Sequence, residues 1–167
     1  VKKGDYVVTT SVSAYATALA IYHVGAIPIF LDIDVETGLI SYEELVKIAK
    51  IKKVNSLILV HLYGRIHPKI QKIINFCKKE KITIIEDCAQ SHGAKYKNLI
   101  AGSIGKVAAW SFYPTKNLGS ISDSGCITTN LKTIQKKVQM LRDYGQSSKY
   151  KHDIIGYNSR MSELHAG

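Results

Sequence analysis

Two short stretches of the chain set reactive side chains side by side. The first is Glu86-Asp87-Cys88-Ala89-Gln90-Ser91-His92-Gly93, a carboxylate with an amide three residues on. The second is Ser111-Phe112-Tyr113-Pro114-Thr115-Lys116-Asn117-Leu118-Gly119, a hydroxyl with a lysine five residues on, inside a polar turn. Both follow apolar runs that read as strands. An acid, an amide, a hydroxyl and a lysine at one sheet edge suit a phosphorylated, nitrogen-containing aromatic cofactor that needs an amine anchor. Pyridoxal phosphate has that chemistry. Each group alone has a plainer use. An Asp after a strand often caps a helix, a strand-end Ser bonds to backbone, and a single lysine is usually surface.

The elements that must position these groups alternate along the chain. Val7–Thr10, Pro28–Leu31, Ser56–Val60 and Thr83–Glu86 read as strands, as do Val107–Ser111 and Cys126–Thr129. Between them the pattern turns helical, from about Ser13 to His23 and from a cap at Ser41 to about Ala49. Glu44 stands three residues after Ser41, as a capping box requires. Pro68 opens a helix with Ile70, Ile73, Ile74 and Cys77 on one face. A further helix spans about Leu131–Tyr144. Strands alternating with helices predict an α/β fold, a mainly parallel sheet sandwiched by helices. Such sheets bind ligands at the carboxyl ends of their strands, where both reactive stretches fall.

Composition narrows the function classes. The chain has 167 residues, 46% of them hydrophobic, enough for one domain with a real core. No apolar run approaches the roughly 18 residues of a membrane span. The net charge of +10 comes from 23 basic and 13 acidic residues, but the positive charge is dispersed lysine, with arginine only at Arg65, Arg142 and Arg160. That is a solvated surface rather than the clustered stripe of a nucleic-acid binder. It also attracts anionic small molecules such as nucleotide diphosphates. Cys77, Cys88 and Cys126 are too few and too scattered for a disulfide framework or a zinc site, and read as buried small hydrophobes. Their odd number, with no export signal at Val1–Asp5, places the protein in the cytoplasm. No metal site is expected.

The two reactive stretches, through Ala94 and Gly119, resemble the signature segments of the DegT/DnrJ sugar-nucleotide aminotransferases, fold type I pyridoxal phosphate enzymes. Gly4-Asp5-Tyr6-Val7-Val8, Val60-His61-Leu62-Tyr63-Gly64 and Gly156–Leu164 are similar as well. The resemblance implies that Lys116 bonds the cofactor as an imine and then moves a proton as base. It implies that Asp87 pairs with the pyridine nitrogen and that Ser111 bonds the phosphate. Gln90 lies near the cofactor's ring oxygen or against its ring. Asn158 is expected to reach the phosphate of a neighbouring subunit, which makes the protein a homodimer with shared sites. The implied reaction moves an amino group from L-glutamate to a nucleotide-linked keto-sugar, with a lean toward dTDP-linked 3-keto-6-deoxy sugars. His61, Tyr63 and Tyr113 are weaker candidates for substrate contact. His61 and His92 are read first as residues that structure the strand-end loops, and the two tyrosines line the substrate site or pack.

The chain departs from the family pattern in two places. An aromatic that stacks on the cofactor ring is usual where Val12-Ser13-Ala14-Tyr15 stands, so that Ala14 occupies the stacking position. Either Tyr15 shifts to replace it or stacking is weaker, a difference of roughly 0.5–1.5 kcal/mol. Family members are also about twice as long. They begin with a strand and a Gly-Thr turn that binds phosphate, and end with a smaller domain. Residues 1–167 therefore read as part of the large domain, a fragment lacking both. A rival reading is a non-catalytic protein that keeps the fold, a regulator or a remnant. Keeping Asp87, Gln90, Ser111, Lys116 and Asn158 together argues against it.

Overall fold

A computed structural model describes residues 1–167. The chain opens with β1 (Tyr6–Thr10), α1 (Tyr15–His23), β2 (Ile27–Leu31), α2 (Tyr42–Ile51) and β3 (Val54–Val60). A single 3₁₀ turn at Leu62–Gly64 leads to α3 (Ile70–Lys79) and β4 (Thr83–Asp87). Two small strands, β5 (Lys95–Tyr96) and β6 (Leu99–Ile100), precede β7 (Val107–Ser111) and β8 (Gly125–Thr128). The last elements are α4 (Lys132–Leu141), β9 (Gln146–Ser148), β10 (Lys151–His152) and α5 (Glu163–Ala166). Six strands form one sheet in the order β2-β1-β3-β4-β7-β8, parallel throughout except for antiparallel β8 at one edge.

Alternation along the strands decides what each face carries. Val8, Leu57, Leu59 and Ile84 turn one way and pack with Leu45 of α2 and Ile70, Ile73 and Cys77 of α3. Val7 and Ile58 turn the other way and pack with Ile21 of α1. The inner strands thus carry α2 and α3 on one face and α1 on the other, as the near-continuous apolar runs predict, while β7 and β8 stay more open. α2 starts where Ser41 Oγ accepts from the Glu44 backbone N–H at 3.2 Å. Only half of the expected capping box forms, because the Ser41 N–H donates instead to the Asp32 carbonyl at 2.9 Å. Glu44 turns outward to Lys47.

Other expectations need correction. α4 stops three residues early, because Tyr144 and Gly145 take left-handed conformations (φ 54° and 78°) and the Gly145 N–H closes on the Met140 carbonyl. Cys77 and Cys88 are buried, but Cys126 is exposed, since nothing packs outside the edge strand β8. α4 likewise buries none of its side chains. No helix is long and apolar enough to cross a membrane.

Candidate active site

Adjacent residues at the end of β4 point to opposite faces and do opposite work. Glu86 faces the α2–α3 side and is fully buried. Its Oε1 accepts from the Ile104 and Gly105 N–H groups at 2.8 and 2.7 Å. Its Oε2 accepts from Gly102 N–H at 2.8 Å and meets His61 Nε2 at 2.9 Å. A side chain at Gly105 would strike the Ile84 carbonyl at 2.7 Å, so glycine lets this amide come close. Burial pushes the Glu86 carboxyl up, but the His61 bond and the amides of Gly105 and Gly102 outweigh it and hold it below the ordinary range. Cys88 lies in the same cluster, its thiol pushed up to about 12 by burial and therefore neutral.

A stability prediction follows from this buried carboxylate. Glu86→Gln keeps the shape but turns an NH₂ group against backbone donors. An unsatisfied buried donor costs about 1–3 kcal/mol, so the urea midpoint is expected to fall. The pH sign is set by the lowered folded value. Glu86 stabilises the fold fully above its unfolded carboxyl range, and that contribution is lost as pH falls through the lower folded value. The wild type is therefore expected to lose more stability than Glu86→Gln between neutral and acid pH. Equal acid losses in urea titrations of the two proteins would contradict this.

Asp87 faces the α1 side. Its Oδ2 accepts from the Thr17 hydroxyl at 2.8 Å and its Oδ1 from the Ala89 N–H at 3.2 Å. Its carbonyl accepts from the His61 N–H, which ties the end of β3 to the end of β4. Asp87, Gln90 and Lys116 line one cleft, together with Ser13 and Ala14 from the start of α1. Lys116 sits in the loop between β7 and β8, where its N–H donates to the Tyr113 carbonyl at 2.8 Å. Gly119 makes this loop possible, because a side chain there would meet the Pro114 carbonyl at 2.6 Å. Lys116 is half-buried, and none of the chain's five ion pairs includes it.

The remaining candidates take varied places. Gln90 Oε1 accepts from the N–H of Tyr63, a residue held in a left-handed conformation at φ 54°. With its carbonyl occupied, Gln90 keeps its two amide protons for another partner. Tyr63 is exposed beside Gln90 and Lys116. Ser111 ends β7, two residues past the partner of Asp87, and its Oγ accepts from the Tyr113 N–H, leaving its proton free. Tyr113 is exposed. The side chain of His61 is buried on Glu86, which structures the loop, and the residue also borders the cleft that Asp87, Gln90 and Lys116 line. His92 packs against the rings of Trp110 and Phe112, and neither of its nitrogens has a partner. Tyr15 is 76% exposed and does not line the cleft, whereas Ala14 does. Asn158 is exposed, pairs with Asp143 and does not line the cleft of its own chain. Thr17 is the site residue that sequence reasoning passed over. A threonine in the first turn of a helix carries no signal of the carboxylate it meets.

Pyridoxal phosphate fits these groups. A half-buried lysine without a counter-charge suits an electrophilic carbon, an anchored carboxylate suits a ring N–H, and a free amide donor suits a ring oxygen. These groups stand at the carboxyl edge of the parallel part of the sheet, where such sheets bind ligands. Residues 1–167 match the DegT/DnrJ/EryC1/StrS aminotransferase family throughout, and the chain belongs to it. It is 41% identical over 163 residues to a pleiotropic regulatory protein of Geobacillus stearothermophilus, covering 98% of this chain and 43% of that one. It is 40% identical over 166 residues to the dTDP-3-amino-3,6-dideoxy-alpha-D-galactopyranose transaminase of Aneurinibacillus thermoaerophilus, covering 98% and 44%. Its structure superposes on NtdA of Bacillus subtilis, solved with bound cofactor PMP, with a TM-score of 0.88 and 30% identity, covering 99% and 38%. The chain thus spans less than half the length of these relatives.

Proposed function

We propose that this chain is part of the large domain of an aminotransferase that moves an amino group from L-glutamate to a nucleotide-linked keto-sugar. The observation that carries this is the convergence of Asp87, Gln90 and Lys116 on one cleft. When bound there, pyridoxal phosphate supplies an electron sink for the carbanion formed next to the transferred nitrogen. The chain's residues do the rest. Lys116 anchors the cofactor, and its neutral amine then carries the proton between the substrate carbon and the cofactor carbon. Asp87 holds the ring nitrogen protonated. Gln90 donates to the ring oxygen, and Ser111 donates its free hydroxyl proton to the phosphate. Glutamate loads the amine in a first half-reaction, and the keto-sugar receives it in a second.

A dTDP-linked 3-keto-6-deoxyhexose is the acceptor we favour, supported by the 40% identical transaminase of such a sugar. The test is a panel of dTDP- and UDP-linked 3-keto and 4-keto sugars given to the intact enzyme with glutamate. Fastest turnover on the dTDP 3-keto sugar is expected, and preference for a 4-keto sugar would overturn the choice. The regulator reading has one support, the 41% identical pleiotropic regulatory protein. It predicts that no sugar in the panel is aminated.

We further propose a cytoplasmic homodimer in which Asn158 completes the neighbour's site. Its exposure outside its own cleft supports this. Mixing Lys116→Ala and Asn158→Ala subunits then rebuilds one intact site in each mixed dimer. Recovery of about a quarter of wild-type activity is expected on symmetry grounds. No recovery from two inactive parents would contradict a shared site.

A further inference from the structure

The roles above leave a pair of hydroxyls behind Asp87 unexplained. Thr17 is 5% exposed, and its Oγ1 lies 2.8 Å from Asp87 Oδ2 and 2.8 Å from Ser13 Oγ. A threonine hydroxyl has one proton to give, and an ionised carboxylate only accepts. The Thr17 proton therefore goes to Asp87, and Ser13 must donate its own proton to Thr17. The two hydroxyls form a chain of fixed direction, from Ser13 through Thr17 to Asp87. Ala89 N–H holds the other carboxylate oxygen. Both oxygens are thus held from within the protein, and only their remaining lone pairs are left for the cleft that Asp87 lines.

The terminal torsion of an aspartate is broad and soft. With the backbone bond to Ala89 alone, the carboxylate can swing about that oxygen. We propose that Thr17, oriented by Ser13, is a positioning residue of the transamination reaction that fixes the Asp87 carboxylate in the one rotation that meets the cofactor's ring nitrogen. The proposal rests on the reading of Asp87 as the partner of that nitrogen. Thr17 acts through Asp87 and touches no reacting atom itself. The hydroxyl is what matters, so its removal is the informative change. Thr17→Val keeps the volume and the branching. Thr17→Ser keeps the hydroxyl and loses a methyl group.

The test uses the intact enzyme, pyridoxal phosphate and two readouts other than turnover. One is the cofactor dissociation constant from quenching of protein fluorescence. The other is the ¹⁵N resonance of ring-labelled cofactor, which reports whether the ring nitrogen is protonated. Thr17→Val is expected to weaken binding about tenfold, equivalent to about 1.4 kcal/mol, and to move the resonance toward its unprotonated position. Thr17→Ser is expected to stay within about twofold of wild type in affinity and to keep the wild-type resonance. If Thr17→Val lowers only the melting temperature, leaving affinity and resonance unchanged, the residue is structural and the proposal fails. If Thr17→Val does not fold, Ser13→Ala decides. It is outside the core clusters, and a loss of about threefold in affinity with a partial resonance shift is expected. Wild-type values for both readouts in Ser13→Ala would overturn the proposal. If the wild type itself binds no cofactor, the assignment of the site fails first, which separates the two failures.

Discussion

Lys116→Ala is expected to lower turnover by a factor on the order of 10⁴ or more, since it removes both the cofactor's amine anchor and the acid–base group. Lys116→Arg is expected to do no better, because a guanidinium stays protonated and cannot act as a nucleophile. Borohydride reduction of the wild type with pyridoxal phosphate should fix the label on Lys116, as read by peptide mapping. The position supports this. Lys116 is held by a tight turn closed at Gly119, and none of the chain's five ion pairs engages it. Label on another lysine, or turnover above about a hundredth of wild type in Lys116→Ala, would contradict the assignment.

Asp87→Ala is expected to retain weak cofactor binding and to lose turnover by a factor on the order of 10³, about 4 kcal/mol of transition-state stabilisation. With no carboxylate to hold the ring nitrogen protonated, the carbanion is poorly stabilised. The measurement is the single-turnover rate with glutamate, which separates chemistry from cofactor loss when the cofactor is saturating. Near-normal rates would show that Asp87 only joins β4 to α1 through Thr17.

Much of this was legible in the residues, for physical reasons that differ by element. β3 and β4 lie inside the sheet with little of either face exposed, so they read as apolar runs, and the apolar run of β7 matches its observed bounds even though Ala109 is exposed. Hairpin β5–β6 was not seen, because two-residue strands have no period to detect. The antiparallel direction of β8 depends on a loop path, which composition does not encode. Asp87, Gln90 and Lys116 stand out in the sequence because they lie at or within five residues of strand ends, and the structure brings them to one cleft. Glu86 was visible only as the residue before Asp87. Its buried role depends on amides 16 to 19 residues further on, and only the fold brings them to it.

The bond from Thr17 to Asp87 joins residues 70 positions apart in the chain. On a ribosome adding about 5–20 residues per second, α1 therefore emerges roughly 4–14 s before the strand it must hold. β1 also lies between β2 and β3, so the sheet closes through non-local parallel pairings, which form slowly. The cleft cannot be complete in a nascent chain that has not yet delivered β4 and the Lys116 loop. Cofactor capture thus waits for the delivery of β4 and that loop. The arrival of bound-cofactor absorbance during refolding would time the completion of this cleft rather than the first collapse.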